Sequence, residues 1–142
     1  MAASFTITLD NNPNPEDWRL VDNGLRSFNL EHAPDDLCQR LAVFLRNRDG
    51  AIVGGLLGET YWGWLHIDVL WLSDSVRRLR FGSKLLAEAE AEALRRGCRH
   101  AHLETMSFQA QGFYEQHGYS VFAILDDLPA GHQRIYMKKD LA

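Results

Sequence analysis

Arg77, Arg78 and Arg80 crowd the stretch just before Gly82 and Ser83, where the apolar pattern of the chain changes its period. A helix starting there offers backbone N–H groups without intrahelical acceptors and the positive end of its dipole. Guanidinium groups beside such a terminus add charge-assisted donors, and the combination suits a pyrophosphate. The bland alternative is a solvated basic turn.

The elements that must hold this turn lie on either side of it. Leu65, Ile67, Val69 and Trp71 alternate with His66, Asp68, Leu70 and Leu72, which predicts a strand with two largely apolar faces. From Gly82 the spacing becomes helical, with Leu85, Leu86, Ala89 and Ala93 on one stripe. Arg95 and Arg96 suit a helix C-terminus and Gly97 its cap. Ala101, Leu103 and Thr105 then lead into Ser107–His117, where Ala110, Phe113 and Tyr114 have helical spacing and Gly118 suits a cap.

Elsewhere, Phe5, Ile7 and Leu9 alternate as a first strand, and Trp18, Val21, Leu25 and Phe28 predict a helix through Asn29. Leu37 to Arg40 reads as a short helical turn. Asp49-Gly50 separates two apolar runs, Val43–Arg46 and Ile52–Leu57, as a hairpin would. Tyr61–Leu72 reads as one strand, and Tyr119–Leu125 and Arg134–Lys138 as the last two. The expected order is β-α-β-β-β-α-β-α-β-β in one α/β domain, residues 1–142.

The chain has 142 residues, a formal net charge of −4 and two cysteines. That charge argues mildly against nucleic acid and favours approach of a cationic amine. His66 and Asp68 interrupt the longest apolar run, so no membrane span is expected, and no signal peptide is legible. Cys38 and Cys98 have neither metal-ligand nor disulfide spacing, so reduced thiols and a cytoplasmic location are expected.

Arg77-Arg78-Leu79-Arg80-Phe81-Gly82 resembles the acetyl-coenzyme A motif of the GNAT family of N-acetyltransferases, Arg/Gln-x-x-Gly-x-Gly/Ala at the head of a long helix. Arg80 stands where that family usually has its first glycine. Ser107 through Tyr119 is similar to the family's closing segment, Asn-x-x-Ala-x-x-Phe-Tyr-Glu-x-x-Gly-Phe, with Ser107 in place of Asn. The resemblance implies a central mixed, mostly antiparallel sheet flanked by helices. It also implies acetyl-CoA as co-substrate, with no metal. Its holders would be Arg77, Arg78, Arg80, Phe81, Gly82, Ser83, Ser107 and Tyr114, with backbone N–H groups near Leu70 and Leu72 on the pantetheine arm.

The implied reaction is transfer of the acetyl group to a primary amine by direct attack on the thioester. Tyr114 holds the position from which the family often protonates the departing thiolate. The amine must be neutral to attack, so a base is needed. His66, Asp68 and Glu104 are the candidates, His66 and Asp68 because residues two apart in a strand share a face. Each taken singly reads as an ordinary polar residue. Tyr61-Trp62-Gly63-Trp64 and His132 are further lining candidates, with packing and an exposed loop as their plainer readings. A non-catalytic acyl-CoA sensor and a protein-interaction domain remain as alternatives, and a homodimer is an open arrangement.

Overall fold

The computed structural model describes residues 3–142. Contacts divide the chain into two compact units, Met1–Asp35 and Asp36–Ala142.

In the first unit, Asn14 caps α1 (Pro15–His32). Its side-chain oxygen accepts the Glu16 N–H at 2.8 Å, and Pro15 opens the helix where no N–H is needed. Glu16 and Asp17 in the first turn and His32 in the last complement the dipole. The strand expected at Phe5, Ile7 and Leu9 does not form; residues 3–10 carry no regular structure and these three side chains are exposed. Alternation marks a segment able to pair, but a strand needs a neighbour to complete its ladder. Among the described residues none does so.

The second unit is a six-stranded sheet in the order β1-β2-β3-β4-β6-β5. Its strands are β1 (Gln39–Arg46), β2 (Ile52–Tyr61), β3 (Trp64–Leu72), β4 (His100–Met106), β5 (Ser120–Asp126) and β6 (Gln133–Asp140). Every neighbouring pair is antiparallel except β3–β4, which is parallel. With α2 (Phe81–Arg95) and α3 (Gln111–Gln116), this is the mixed α/β class expected. The helical turn expected at Leu37–Arg40 is instead the entry to β1. The Asp49-Gly50 hairpin forms as expected, with Asn47 Oδ1 accepting from the N–H of Asp49 and of Ala51. The strand expected over Tyr61–Leu72 starts later, at Trp64; Tyr61 is the last residue of β2. Trp62 and Gly63, at φ 46° and 78°, make the tight turn between β2 and β3, as a primed hairpin requires.

One sheet face is the core. Leu56, Leu65, Ile67, Leu103, Ile135 and Met137 meet Leu85, Leu86, Ala89 and Ala93 of α2 there, all buried. The helix ends as Gly97 turns at φ 85° and the Cys98 N–H donates to the Ala93 carbonyl at 2.9 Å. Residues alternating with the core, among them Glu59, His66, His102 and Glu104, belong to the opposite face.

Two irregularities in β3 shape everything that follows. Leu57 pairs with Val69 but Gly58 with Ile67, so Asp68 is an extra residue, a bulge. The bulge reverses the strand's phase. Leu70 and Leu72, and not Val69 and Trp71, pack toward the core. The β3–β4 ladder also stops at Ile67–Leu103, although β3 runs on to Leu72 and β4 to Met106. Beyond that pair the two parallel strands part.

Candidate functional site

The parting of β3 from β4 opens a cavity of about 460 Å³ whose lining includes Leu70, Leu72, Arg77, Gly82, Phe113 and Tyr114. Past Ile67, the β3 edge facing β4 has lost its ladder, which leaves backbone groups for a ligand to engage. At the cavity's end stands the first turn of α2, which has no side-chain cap. Its free N–H groups are therefore available to an anion. A Cβ at Gly82 would lie 3.4 Å from Phe113 Cζ and 3.8 Å from Leu72 Cδ1. Glycine there keeps the helix head close to the cavity wall.

The expected phosphate-turn residues divide. Arg77 lines the cavity; its Nε donates to the Leu72 carbonyl at 3.1 Å and its Nη1 meets Asp74 at 2.8 Å. Arg78 and Arg80 both take left-handed backbone at φ 66°, and Arg80 is the N-cap of α2 at ψ 17°. The position that carries glycine in the motif thus keeps a glycine-like conformation with an arginine in it. Phe81 packs beneath Lys84, whose Nζ is 5.4 Å from the ring centroid. Ser83 is engaged by His117, Oγ to Nε2 at 2.9 Å. Ser107 is outside the cavity lining. Its Oγ accepts the Gln133 N–H at 3.1 Å and its own N–H donates to the Gln133 carbonyl, a clamp between β4 and β6.

Tyr114 projects from α3 into the wall of the cavity and is 6 % exposed. Burial pushes its phenol up to about 12. A hydroxyl so held stays protonated at ordinary pH and is a donor.

The second cluster belongs to the other sheet face, where the strands begin to part. His66 places Nδ1 2.7 Å from Glu59 Oε1 and Nε2 2.8 Å from Glu104 Oε2. Both ring nitrogens face carboxylate oxygens, an arrangement that favours the protonated ring. Burial alone would lower its pKa, but the hydrogen bonds to Glu104 and Glu59 outweigh that and the net shift is upward. His102, paired with His66 across the parallel ladder, stacks on it with ring centroids 4.6 Å apart. Burial first, and the His66 charge second, lower the pKa of His102. Its Nε2 is hydrogen-bonded to the Tyr61 hydroxyl at 3.0 Å.

The three base candidates therefore part company. His66 is clamped between two carboxylates. Glu104 follows directly on Leu103, the last residue paired to β3, and so borders the opening. Asp68 is exposed at the bulge, which breaks the simple rule that residues two apart share a face. Glu59, His102 and Tyr61 complete the cluster. Sequence reasoning gave no role to Glu59 or His102, because the pairings Glu59–His66 and His66–His102 exist only once the register is known.

His66, His102 and Glu104 each bring one ligand atom within 4.8 Å of the others. As arranged, the His66 nitrogens are both committed to carboxylates, so a cation held here would have to exchange those bonds. Beside the cluster, Tyr61, Trp62, Trp64, His102, Phe122 and Lys138 line a second cavity of about 510 Å³. His132 lines neither cavity but packs on Phe108 of the first cavity's wall, ring centroids 4.9 Å apart.

Residues 7–119 match the Acetyltransferase (GNAT) family. The chain is 40% identical over 101 residues to a blasticidin-S acetyltransferase of Streptomyces morookaense, covering 70% of this chain and 74% of that one. It is 31% identical over 135 residues to an acetyltransferase of Agrobacterium fabrum, covering 95% and 98%. The crystal structure of an acetyltransferase from Bacillus cereus superposes with a TM-score of 0.86 at 32% identity, covering 94% of this chain and 97% of that one. No helix among the described residues is long and apolar enough to cross a membrane. The parted parallel strands, the uncapped glycine-bearing helix head and these matches agree, and the chain belongs to the GNAT family of acetyltransferases.

Proposed function

We propose that the protein transfers the acetyl group of acetyl-CoA to the primary amine of a small-molecule acceptor. The observation that carries this is the placement of two opposite proton functions around one opening. Tyr114, a protonated donor, lines the core-side cavity, and Glu104, a candidate acceptor, follows directly on Leu103, where the β3–β4 ladder ends.

The co-substrate supplies an acetyl group already activated as a thioester. Its pyrophosphate would rest on the N–H groups at the head of α2 with Arg77 beside them, and its pantetheine arm on the freed edge of β3. Glu104 takes the proton that the ammonium form of the acceptor must lose, and the imidazolium of His66 holds the carboxylate in place. The neutral amine forms its bond to the thioester carbon, and Tyr114 gives its proton to the sulfur as the carbon–sulfur bond breaks. The second proton, shed by the acylated nitrogen, restores the phenol through solvent. Holding both reactants at one opening supplies much of the acceleration without a covalent enzyme intermediate.

The acceptor enters on the face of the Glu59–His66–Glu104 cluster. Two carboxylates against one imidazolium leave that cluster net negative, which favours an ammonium. The likeness to a blasticidin-S acetyltransferase supports a small-molecule amine as acceptor. The test is thiol release from acetyl-CoA in the presence of an amine panel that includes blasticidin S. Amine-dependent release is expected, and none with any amine would sink the proposal.

A further inference from the structure

One donor beside the Glu59–His66–Glu104 cluster has nothing to donate to. The Nε of Arg134 is buried without a hydrogen-bond partner, alone in this among the buried side-chain nitrogens and oxygens of the described residues. A guanidinium is always charged, and a buried N–H with no acceptor bears its desolvation with nothing in return. Native folds hold few such groups, and a ligand that arrives from outside is one way they are satisfied.

The register fixes where this donor stands. Ile135 and Met137 of β6 are buried in the core, so Arg134 and Tyr136 belong to the opposite face, the face of Glu104. The β4–β6 ladder pairs Glu104 with Tyr136 and Met106 with Arg134, without a break. Glu104 and Arg134 are therefore diagonal neighbours on one face, a relation that spans about 7–8 Å. At this level β4 has already lost β3, whose ladder ends at Ile67–Leu103, so both residues stand on the bank of the opening. Among the described residues no carboxylate answers the Arg134 charge. Its cross-strand neighbours are Met106 and Leu125. Asp126 accepts from Gln133 Nε2 at 2.8 Å, and Glu104 is engaged by His66 at 2.8 Å.

We propose that Arg134 receives a carboxylate of the acceptor, so that the substrate is an amino-carboxylic acid whose amine lies at Glu104 and whose carboxylate, a few bonds away, lies at Arg134. This rests on the role proposed above for Glu104. The Nε–H and one Nη–H of a guanidinium point the same way and match the two oxygens of a carboxylate. The two poles also sort the ends of the substrate. Glu59 and Glu104 repel the carboxylate, and Arg134 repels the ammonium, so only one orientation brings the amine to the opening. A dianionic phosphate suits the place less well, with Glu104 one diagonal away.

Thiol release from acetyl-CoA with matched amines tests the assignment: β-alanine against its amide, and glycylglycine against its amide. Wild type should favour each acid by about tenfold or more in kcat/KM, because a site built to bond a group rejects the analogue that lacks it. In Arg134→Met the ratio should fall to within threefold of one. No preference in wild type, or one that survives the substitution, overturns the inference. Arg134→Met gives up an unpaired donor and keeps the apolar stem, so it should unfold at the wild-type denaturant midpoint or above. A lower midpoint would make the guanidinium a structural group. A binding arm needs no turnover. The Nε–H resonance of Arg134, assigned by its loss in Arg134→Met, should shift saturably with glycylglycine and not with its amide. A resonance that the acid leaves unmoved overturns the inference, whereas a shift without thiol release from any amine supports the carboxylate site and sinks the acetyl transfer instead.

Discussion

His66 and His102 stack with their ring centroids 4.6 Å apart, and their surroundings drive their protonation in opposite directions. His66 is raised above 6.5, since its bonds to Glu104 and Glu59 overcome burial. His102 is lowered below 6.5 by burial and by the His66 charge. Shifts of opposite sign keep the two stacked rings from being cationic together over the widest pH range.

This pairing sets a pH signature for stability. A raised folded-state pKa means that the His66 contribution is complete below 6.5 and is lost as pH rises through the folded value. The lowered pKa of His102 gives the reverse, a contribution present above 6.5 and lost as pH falls through the folded value. Imidazole NMR titration should place the His66 midpoint above that of His102. Denaturant unfolding of His66→Gln should show its largest deficit against wild type on the acid side of 6.5 and a shrinking one at higher pH. Reversed midpoints would show that the carboxylates do not clamp His66.

Arg80 holds a left-handed backbone at φ 66° and ψ 17° at the head of α2. A residue with a Cβ spends roughly 1–2 kcal/mol to stay there, which glycine does not. Glycine costs about 0.5–1 kcal/mol in unfolded-chain entropy, so Arg80→Gly should stabilise by up to about 1 kcal/mol. Arg80→Ala keeps the strain and should gain nothing. On the proposal that the helix N–H groups hold the anion, calorimetric affinity for coenzyme A should change less than threefold in Arg80→Gly. A tenfold loss would mean that the guanidinium itself holds phosphate.

The parts of this site legible in the sequence were those encoded locally. The change of period expected from Gly82, the capping glycine Gly97 and the helical spacing of Phe113 and Tyr114 each depend on neighbours along the chain. In the fold, α2 starts one residue earlier, at Phe81, and Gly97 turns at its end. The helix expected over Ser107–His117 forms only over Gln111–Gln116. What escaped depends on strands meeting. Asp68 became a bulge because of the pairing of β3 with β2, and that bulge, invisible in a strand with two largely apolar faces, turns Leu70 and Leu72 inward. Glu59 found His66 across the same pairing. Phe5, Ile7 and Leu9 failed in the opposite way, with the right pattern and no partner strand among the described residues.

The bulge has its own test at Gly58. A Cβ added there would collide with the His66 carbonyl oxygen, a backbone atom that cannot turn aside. Gly58→Ala should therefore cost on the order of 1–3 kcal/mol in denaturant unfolding, the usual range for overpacking. It should also displace His66 from Glu104 and lower kcat beyond what stability explains. Wild-type kcat in a folded Gly58→Ala chain would show that the bulge does not set the proton acceptor.

Tyr114 offers the sharpest separation of binding from chemistry. Its ring is buried beside Phe113 and Tyr119, with centroids at 5.2 and 5.8 Å, so phenylalanine preserves the packing and removes only the hydroxyl. Loss of a proton donor to the departing sulfur should lower kcat at least tenfold, and by about 10² to 10⁴ if it acts as a full general acid. Coenzyme A affinity should hold within threefold, because the anion turn and the β3 edge are untouched. With a phenol pushed up to about 12, the wild-type rate should also show no alkaline loss from Tyr114 ionisation near neutral pH. If Tyr114→Phe turns over acceptor as fast as wild type, the sulfur takes its proton from water and the tyrosine is packing alone.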